Sequence, residues 1–246
     1  MFFDLRAIRL PLMRMIYLEN WRTVFSCFRA LVFLCFMCFL CFMCSMKKAK
    51  LLSPQKGYDQ YAVYYDQKTA YLDSFEQNKL LPFLGNLNNK KILEVGAGTG
   101  RLSSRLAEYG ALVTAFDISP EILKVLHKKN KNIATVIGDA ESLPFPNNTF
   151  DIVTAAFLIV HLKELKYFFN EAYRVLKPSG LLALTNINQK RPPELKAGRE
   201  KIIIESYYHR PEKIIKELKS LSFSIIKNTF IKDKDVWINQ IVIAAK

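Results

Sequence analysis

From Lys91 to Asn186 short apolar runs alternate with amphipathic segments, a pattern that few architectures accommodate. Lys91–Val95, Leu112–Phe116, Asn132–Ile137, Asp151–Ala156 and Leu181–Asn186 read as strands. Gly100–Tyr109, Ser119–Lys129, Lys163–Leu176 and Pro211–Ser220 read as helices. Ser119 is placed to cap the second of these, with Pro120 at its first position, and Pro178 and Gly180 are expected to stop the third. Phe223–Phe230 and Val236–Ala245 are β-rich and joined by the charged turn Lys232-Asp233-Lys234-Asp235, a hairpin signal. Together these segments predict an α/β fold: an open, mostly parallel seven-stranded sheet, helices on both faces, and a C-terminal antiparallel hairpin.

Composition divides the 246 residues unevenly. All five Cys and all six Met lie within residues 1–46. The rest of the chain therefore has no disulfide framework, thiolate metal site or cysteine nucleophile, and no metal is expected. The net charge of +14 is spread along the chain without a dense basic block, which reads as a lysine-rich solvated surface. No nucleic-acid partner is expected.

Residues 1–46 form a hydrophobic N-terminal segment. Ala30–Met46 is 17 residues without a charge, near the lower limit for a bilayer span of ~17–25 residues. Residues 23–46 are expected to be a membrane anchor, or else an upstream extension to a chain starting at Met46. A signal peptide fits poorly, because the apolar run starts late and no small-residue cleavage site follows. Cys35, Cys38, Cys41 and Cys44 repeat every third residue, but Phe, Met and Leu between them leave no polar groups to orient a metal site. Residues 47–90 are expected to form a helical cap and residues 91–246 the catalytic domain.

The most informative segment is Leu93-Glu94-Val95-Gly96-Ala97-Gly98-Thr99-Gly100, at the end of the first strand of that domain. Alternate glycines let the backbone turn sharply beside a ligand. The spacing is G-x-G-x-G, not the G-x-G-x-x-G of dinucleotide sites. Glu94 would repel a pyrophosphate but suits an ammonium group. Asp117 ends the second strand, where a carboxylate can accept from both ribose hydroxyls. A nucleoside with a positive amino-acid tail and no pyrophosphate is S-adenosylmethionine.

KILEVGAGTG, VTAFDIS, GDAESLPFPNNTFDIV and EAYRVLKPSGLLAL occur in that order, and over Tyr58–Lys246 the chain resembles a class I S-adenosylmethionine-dependent methyltransferase. The resemblance is to the methyltransferase type 11 group, which includes the ubiquinone/menaquinone C-methyltransferases. It implies a Rossmann-like fold and a set of cofactor contacts. Gly96, Gly98, Thr99 and Gly100 would surround the methionine part, and Glu94 would hold its amino group through water. Asp117 would bind the ribose and Ile118 would pack on the adenine. Asp139 and the Ala140 amide would meet the adenine edge, and Ala156 would line the pocket. A catalytic base is needed only if the acceptor loses a proton; the candidates are His161, His209 and Tyr61. His127 reads as a surface residue.

The acceptor is expected to be a small molecule or lipid-like, because the fourth strand ends in Thr154-Ala155-Ala156-Phe157 and lacks the Asn/Asp-Pro-Pro-aromatic motif of nucleic-acid amino-methyltransferases. Tyr58–Asp66 and the stretch from Asn188 to Arg210, with Tyr207 and Tyr208, are the regions expected to shape its pocket. The catalytic domain is expected in the cytoplasm. The alternatives are a non-catalytic S-adenosylmethionine-binding protein and a nicotinamide-dependent oxidoreductase; the glycine spacing and Glu94 argue against the second.

Overall fold

The structure is a computed structural model that describes residues 48–76 and 78–246. The expected anchor at 23–46, the cysteine repeat and Met46 lie outside the described residues. Among the described residues no helix is long and apolar enough to cross a membrane.

The main sheet has seven strands: β2 (Lys91–Val95), β3 (Leu112–Asp117), β4 (Ala134–Ile137), β5 (Phe150–Ala155), β6 (Leu176–Ile187), β9 (Ser224–Asp233) and β10 (Val236–Ala245). Their order is β4-β3-β2-β5-β6-β10-β9. Pairings from β4 through to β6 are parallel, and β10 runs antiparallel to both β6 and β9. This is the expected sheet with its closing hairpin.

Strand periodicity sends alternate side chains to opposite faces. Leu93, Val153, Leu182 and Val242 join one core cluster with Phe168, Phe169 and Ala172 of α5 (Leu165–Val175) and Ile214 and Leu218 of α6 (Pro211–Ser220). Ile92, Ile152, Ala183 and Ile241 join the other, with Leu102 and Leu106 of α3 (Arg101–Glu108) and Ile122 and Leu126 of α4 (Pro120–Lys129). Strands buried on both faces need the continuous apolar runs that the sequence displays.

Two expectations about elements change. Pro178 and Gly180 do not sit in a stop after the third helix. α5 ends at Val175 and β6 begins at Leu176, so both residues lie inside the strand. Phe150 pairs with Leu176 and Ile152 with Leu181, so the segment between them bulges away from β5. A bulge tolerates a proline without an N–H, and Ser179 takes the left-handed conformation there at φ 62°. Gly180 is required, because a Cβ would lie 2.8 Å from the Lys177 carbonyl oxygen.

The second change is a small additional sheet. β7 (Glu194–Ala197) and β8 (Glu200–Ile204) form a hairpin, and β1 (Lys50–Leu52) pairs in parallel with β8. The order is β1-β8-β7. Between β1 and the main sheet run α1 (Pro54–Tyr61), a 3-10 segment (Ala62–Lys68), α2 (Thr69–Glu76) and a 3-10 turn (Leu81–Leu84). β1 and β7, three and four residues long, are too short to show a period, and β1 finds its partner about 150 residues away.

Candidate active site

The chain builds β2, β3 and β4 outward in one direction, then crosses back to lay β5 on the other side of β2. In an open α/β sheet this reversal leaves a crevice beyond the strand ends. A cavity of about 280 Å³ occupies that place. Gly96 and Gly98 follow β2, Asp117 and Ile118 end β3, Gly138 to Glu141 follow β4, and Ala156 to Leu158 follow β5; all line it.

Asp117 organises the crevice. Its Oδ2 accepts from the Gly98 amide at 2.9 Å and its Oδ1 from the Ser119 amide at 3.0 Å. Asp117 lines the cavity, and with the Ile118 amide as a further donor its carboxylate still has lone-pair capacity for a ligand. Burial raises its pKa, and the amide donors partly offset this. Gly98 has φ +56°, and a Cβ there would make ordinary contacts with the Tyr65 ring at 3.7 Å and Ile122 Cδ1 at 3.9 Å.

An N-terminal strap roofs the crevice with Pro54, Tyr58 and Tyr65. Asp59 of α1 accepts from the Ser119 hydroxyl at 2.6 Å. Asp66 accepts from the Thr99 hydroxyl at 2.6 Å and pairs with Lys129.

The methyltransferase domain family matches residues 93–184. The demethylmenaquinone methyltransferase of Chlorobaculum tepidum is 43% identical over 91 residues, 37% of this chain and 38% of the relative. That of Tropheryma whipplei is 31% identical over 144 residues, 56% of this chain and 60% of the relative. The chain thus spans less than two thirds of the length of these curated relatives. A crystal structure of an S-adenosylmethionine-dependent methyltransferase from Mesorhizobium loti covers 71% of this chain and is itself fully covered, with a TM-score of 0.61 at 17% identity. One from Aquifex aeolicus, at 24% identity, gives 0.56 over 71% of this chain and 91% of its own.

Over residues 93–184 the chain matches the methyltransferase domain family, and its body has the fold of S-adenosylmethionine-dependent methyltransferases. Its crevice has two features that suit S-adenosylmethionine: a buried carboxylate at the end of β3 and a glycine cradle without side chains.

Of the residues expected at the cofactor, Gly96, Gly98, Asp117, Ile118, Asp139, Ala140 and Ala156 come together around the cavity. Asp139 Oδ1 accepts from the Glu141 amide at 2.9 Å. Glu94, Thr99 and Gly100 lie outside the lining. Thr99 fastens the strap through Asp66. Gly100 starts α3 at φ +85°, and a Cβ there would press on Leu126 Cγ at 2.7 Å. Glu94 is 3% exposed and accepts a very short hydrogen bond from Ser103 of α3. Burial pushes its pKa up to about 8.

A second cavity, about 150 Å³, adjoins the first. Tyr58, Tyr65, Phe157 and His161 line both and form the wall between them. The rest of the lining is uncharged and includes Tyr61 of the strap, Leu72 and Phe75 of α2, Ile187 of β6, Gln189, and Leu195 and Ile204 of the small sheet. Phe157 holds the left-handed conformation at φ 60°, unusual for an aromatic residue. Its amide donates to Thr185 Oγ1 at 2.8 Å, and the Arg101 guanidinium stands 5.4 Å from its ring centre. Strain of this kind concentrates at functional sites.

Among the base candidates, His161 faces both cavities, and Tyr61 faces the second alone. His209 lines neither; its Nε2 is 2.8 Å from the Leu162 carbonyl oxygen, a backbone tie. Phe157 escaped the sequence reading because nothing in Ala155-Ala156-Phe157 marks a left-handed residue.

Proposed function

We propose that this protein transfers a methyl group from S-adenosylmethionine to a small apolar acceptor in the second cavity. The observation that carries this reading is the shared wall. A cofactor crevice and an uncharged pocket meet at Tyr58, Tyr65, Phe157 and His161, where reacting atoms would have to meet. The relatives' names make quinone precursors the first acceptors to try.

When bound, S-adenosylmethionine supplies an electrophilic methyl group on a sulfonium sulfur. The protein's task is alignment and exclusion of water, worth up to ~7–11 kcal/mol of a barrier. Asp117 would accept from the ribose hydroxyls with its spare lone pairs. Asp139, Ala140 and Ile118 would hold the adenine. Glu94, hydrogen-bonded by the Ser103 hydroxyl, would regain its charge beside the amino group through water. Tyr58 and Tyr65 present aromatic rings near the sulfonium, which favours a cation. The small sheet and α1 would enclose the acceptor.

The test is transfer of radiolabelled methyl from S-adenosylmethionine by the full chain to a short-chain demethylnaphthoquinol and to a lipid extract of the source cells. Label in a lipid-soluble product is expected. No label from either, in a protein that binds the cofactor, would contradict the acceptor class.

A further inference from the structure

The wall between the cavities holds a hydrogen-bonded pair. The Tyr58 hydroxyl lies 2.7 Å from Nε2 of His161. Nδ1 of the same ring lies 2.9 Å from the carbonyl oxygen of Glu205. A carbonyl only accepts, so Nδ1 carries the proton and Nε2 of the neutral ring is bare. The Tyr58 O–H therefore donates to Nε2. The tyrosine oxygen keeps lone pairs for a donor arriving from the cavity. The two rings meet edge-on, 5.2 Å between centres, so the geometry is fixed by packing.

The surroundings keep the pair neutral. Burial lowers the His161 pKa and raises that of Tyr58 well above the usual tyrosine range. Tyr65 stands beside the pair from the strap. Lys163 follows the 3-10 turn carrying His161 (Ile159–His161), Glu205 and Tyr207 follow β8, and Asp117 ends β3; all line the cofactor crevice. The Tyr207 hydroxyl is engaged with the Glu205 carboxylate at 2.6 Å. None of the acids or lysines lines the second cavity. That cavity therefore offers no carboxylate for an ammonium substrate and no cation for a carboxylate substrate.

We propose that Tyr58 is a catalytic residue and His161 its positioning partner, forming a proton relay that deprotonates a hydroxyl of an uncharged acceptor. The proposal rests on the methyltransferase reading above. The acceptor hydroxyl gives its proton to the Tyr58 oxygen while the Tyr58 proton moves to His161 Nε2, making an imidazolium. The electron pair left on the acceptor, on oxygen or on a conjugated carbon, forms the new bond to the methyl carbon. The carbon–sulfur bond breaks with its pair staying on sulfur, leaving a neutral thioether and a methylated acceptor. The single positive charge has moved from sulfonium to imidazolium, which returns the proton through Tyr58 to water. When the new bond is to carbon, the ring proton at that carbon leaves afterwards to water and the hydroxyl is regained.

The test uses 4-nitrophenol, a phenol whose anion absorbs in the visible, bound to the full chain saturated with S-adenosylhomocysteine. At a pH where the free probe is mostly protonated, the complex is expected to show the anion band. Tyr58→Phe and His161→Gln are each expected to lose that band, with S-adenosylhomocysteine binding measured on each variant to show that the site is formed. Leu195→Trp, which fills only the second cavity, is expected to exclude the probe. If the cofactor product binds but the probe is excluded, binds wholly as the neutral phenol, or ionises equally in Tyr58→Phe, the relay is wrong and the methyltransferase reading stands. If S-adenosylhomocysteine does not bind to the folded chain, both fall together.

Discussion

Gly98 and Gly100 share a left-handed backbone but have different neighbours. A Cβ at Gly100 would lie 2.7 Å from Leu126 Cγ, whereas one at Gly98 would have no neighbour nearer than the Tyr65 ring at 3.7 Å. Gly100→Ala is expected to destabilise the fold by about 1–3 kcal/mol from backbone strain, with overpacking in addition. Gly98→Ala should cost only the strain, at the low end of that range, yet weaken cofactor binding more. Urea unfolding and calorimetry on both variants would show the two effects in opposite order. Glu94 gives a pH signature. Its folded pKa of about 8 exceeds the reference of 4.5. Between those values the unfolded chain ionises and the folded chain does not. The associated stability is thus fully present below pH 4.5 and lost as pH rises through 8. Glu94→Gln should flatten the urea midpoint across that window; an unchanged slope would remove Glu94 as its source. Gly96, Gly98, Asp117 and Asp139, which line the crevice, were legible in the sequence because each stands at or just beyond a strand end. The Tyr58–His161 pair was not legible as a pair, because 103 residues separate its members and only tertiary packing joins them.

At the scale of elements, α2 and α3 are joined by a buried ion network. Arg101 of α3 forks to Asp73 at 2.9 Å and Glu76 at 2.6 Å, and the Glu76 side chain is fully buried. Arg101→Ala would leave that carboxylate uncompensated, at a cost of about 3–5 kcal/mol. Adding Glu76→Gln should restore much of the loss, since no buried charge then remains; a thermal-unfolding double-mutant cycle reads the coupling. The strap is held more lightly, through Asp59 on Ser119 and Asp66 on Thr99 and Lys129. Asp59→Ala should accelerate amide hydrogen exchange across α1 while leaving β2 and β5 protected. Equal acceleration in the strap and the sheet would show that the strap is part of the global unfolding unit. Helix and strand identities in the main sheet followed from periodicity because each element buries one apolar stripe or two. The start of β6 at Leu176 did not, because Pro178 and Gly180 serve a bulge as readily as a helix stop.

At the scale of the molecule, the order of strands places the crevice and the small sheet bounds the second cavity. The first follows from alternating elements and right-handed crossovers, and so was open to a sequence reading. The second depends on Lys50–Leu52 pairing with Ile202–Ile204, a contact that no local pattern announces. In the proposed function, the crevice binds S-adenosylmethionine through Asp117. The direct measurement is calorimetric titration of the full chain with S-adenosylhomocysteine, with Asp117→Ala in parallel. Saturable one-to-one binding is expected, weakened about 10- to 100-fold in the variant, equivalent to about 1.4–2.8 kcal/mol. A folded chain that does not bind, or a variant that binds as tightly as the parent, would contradict it.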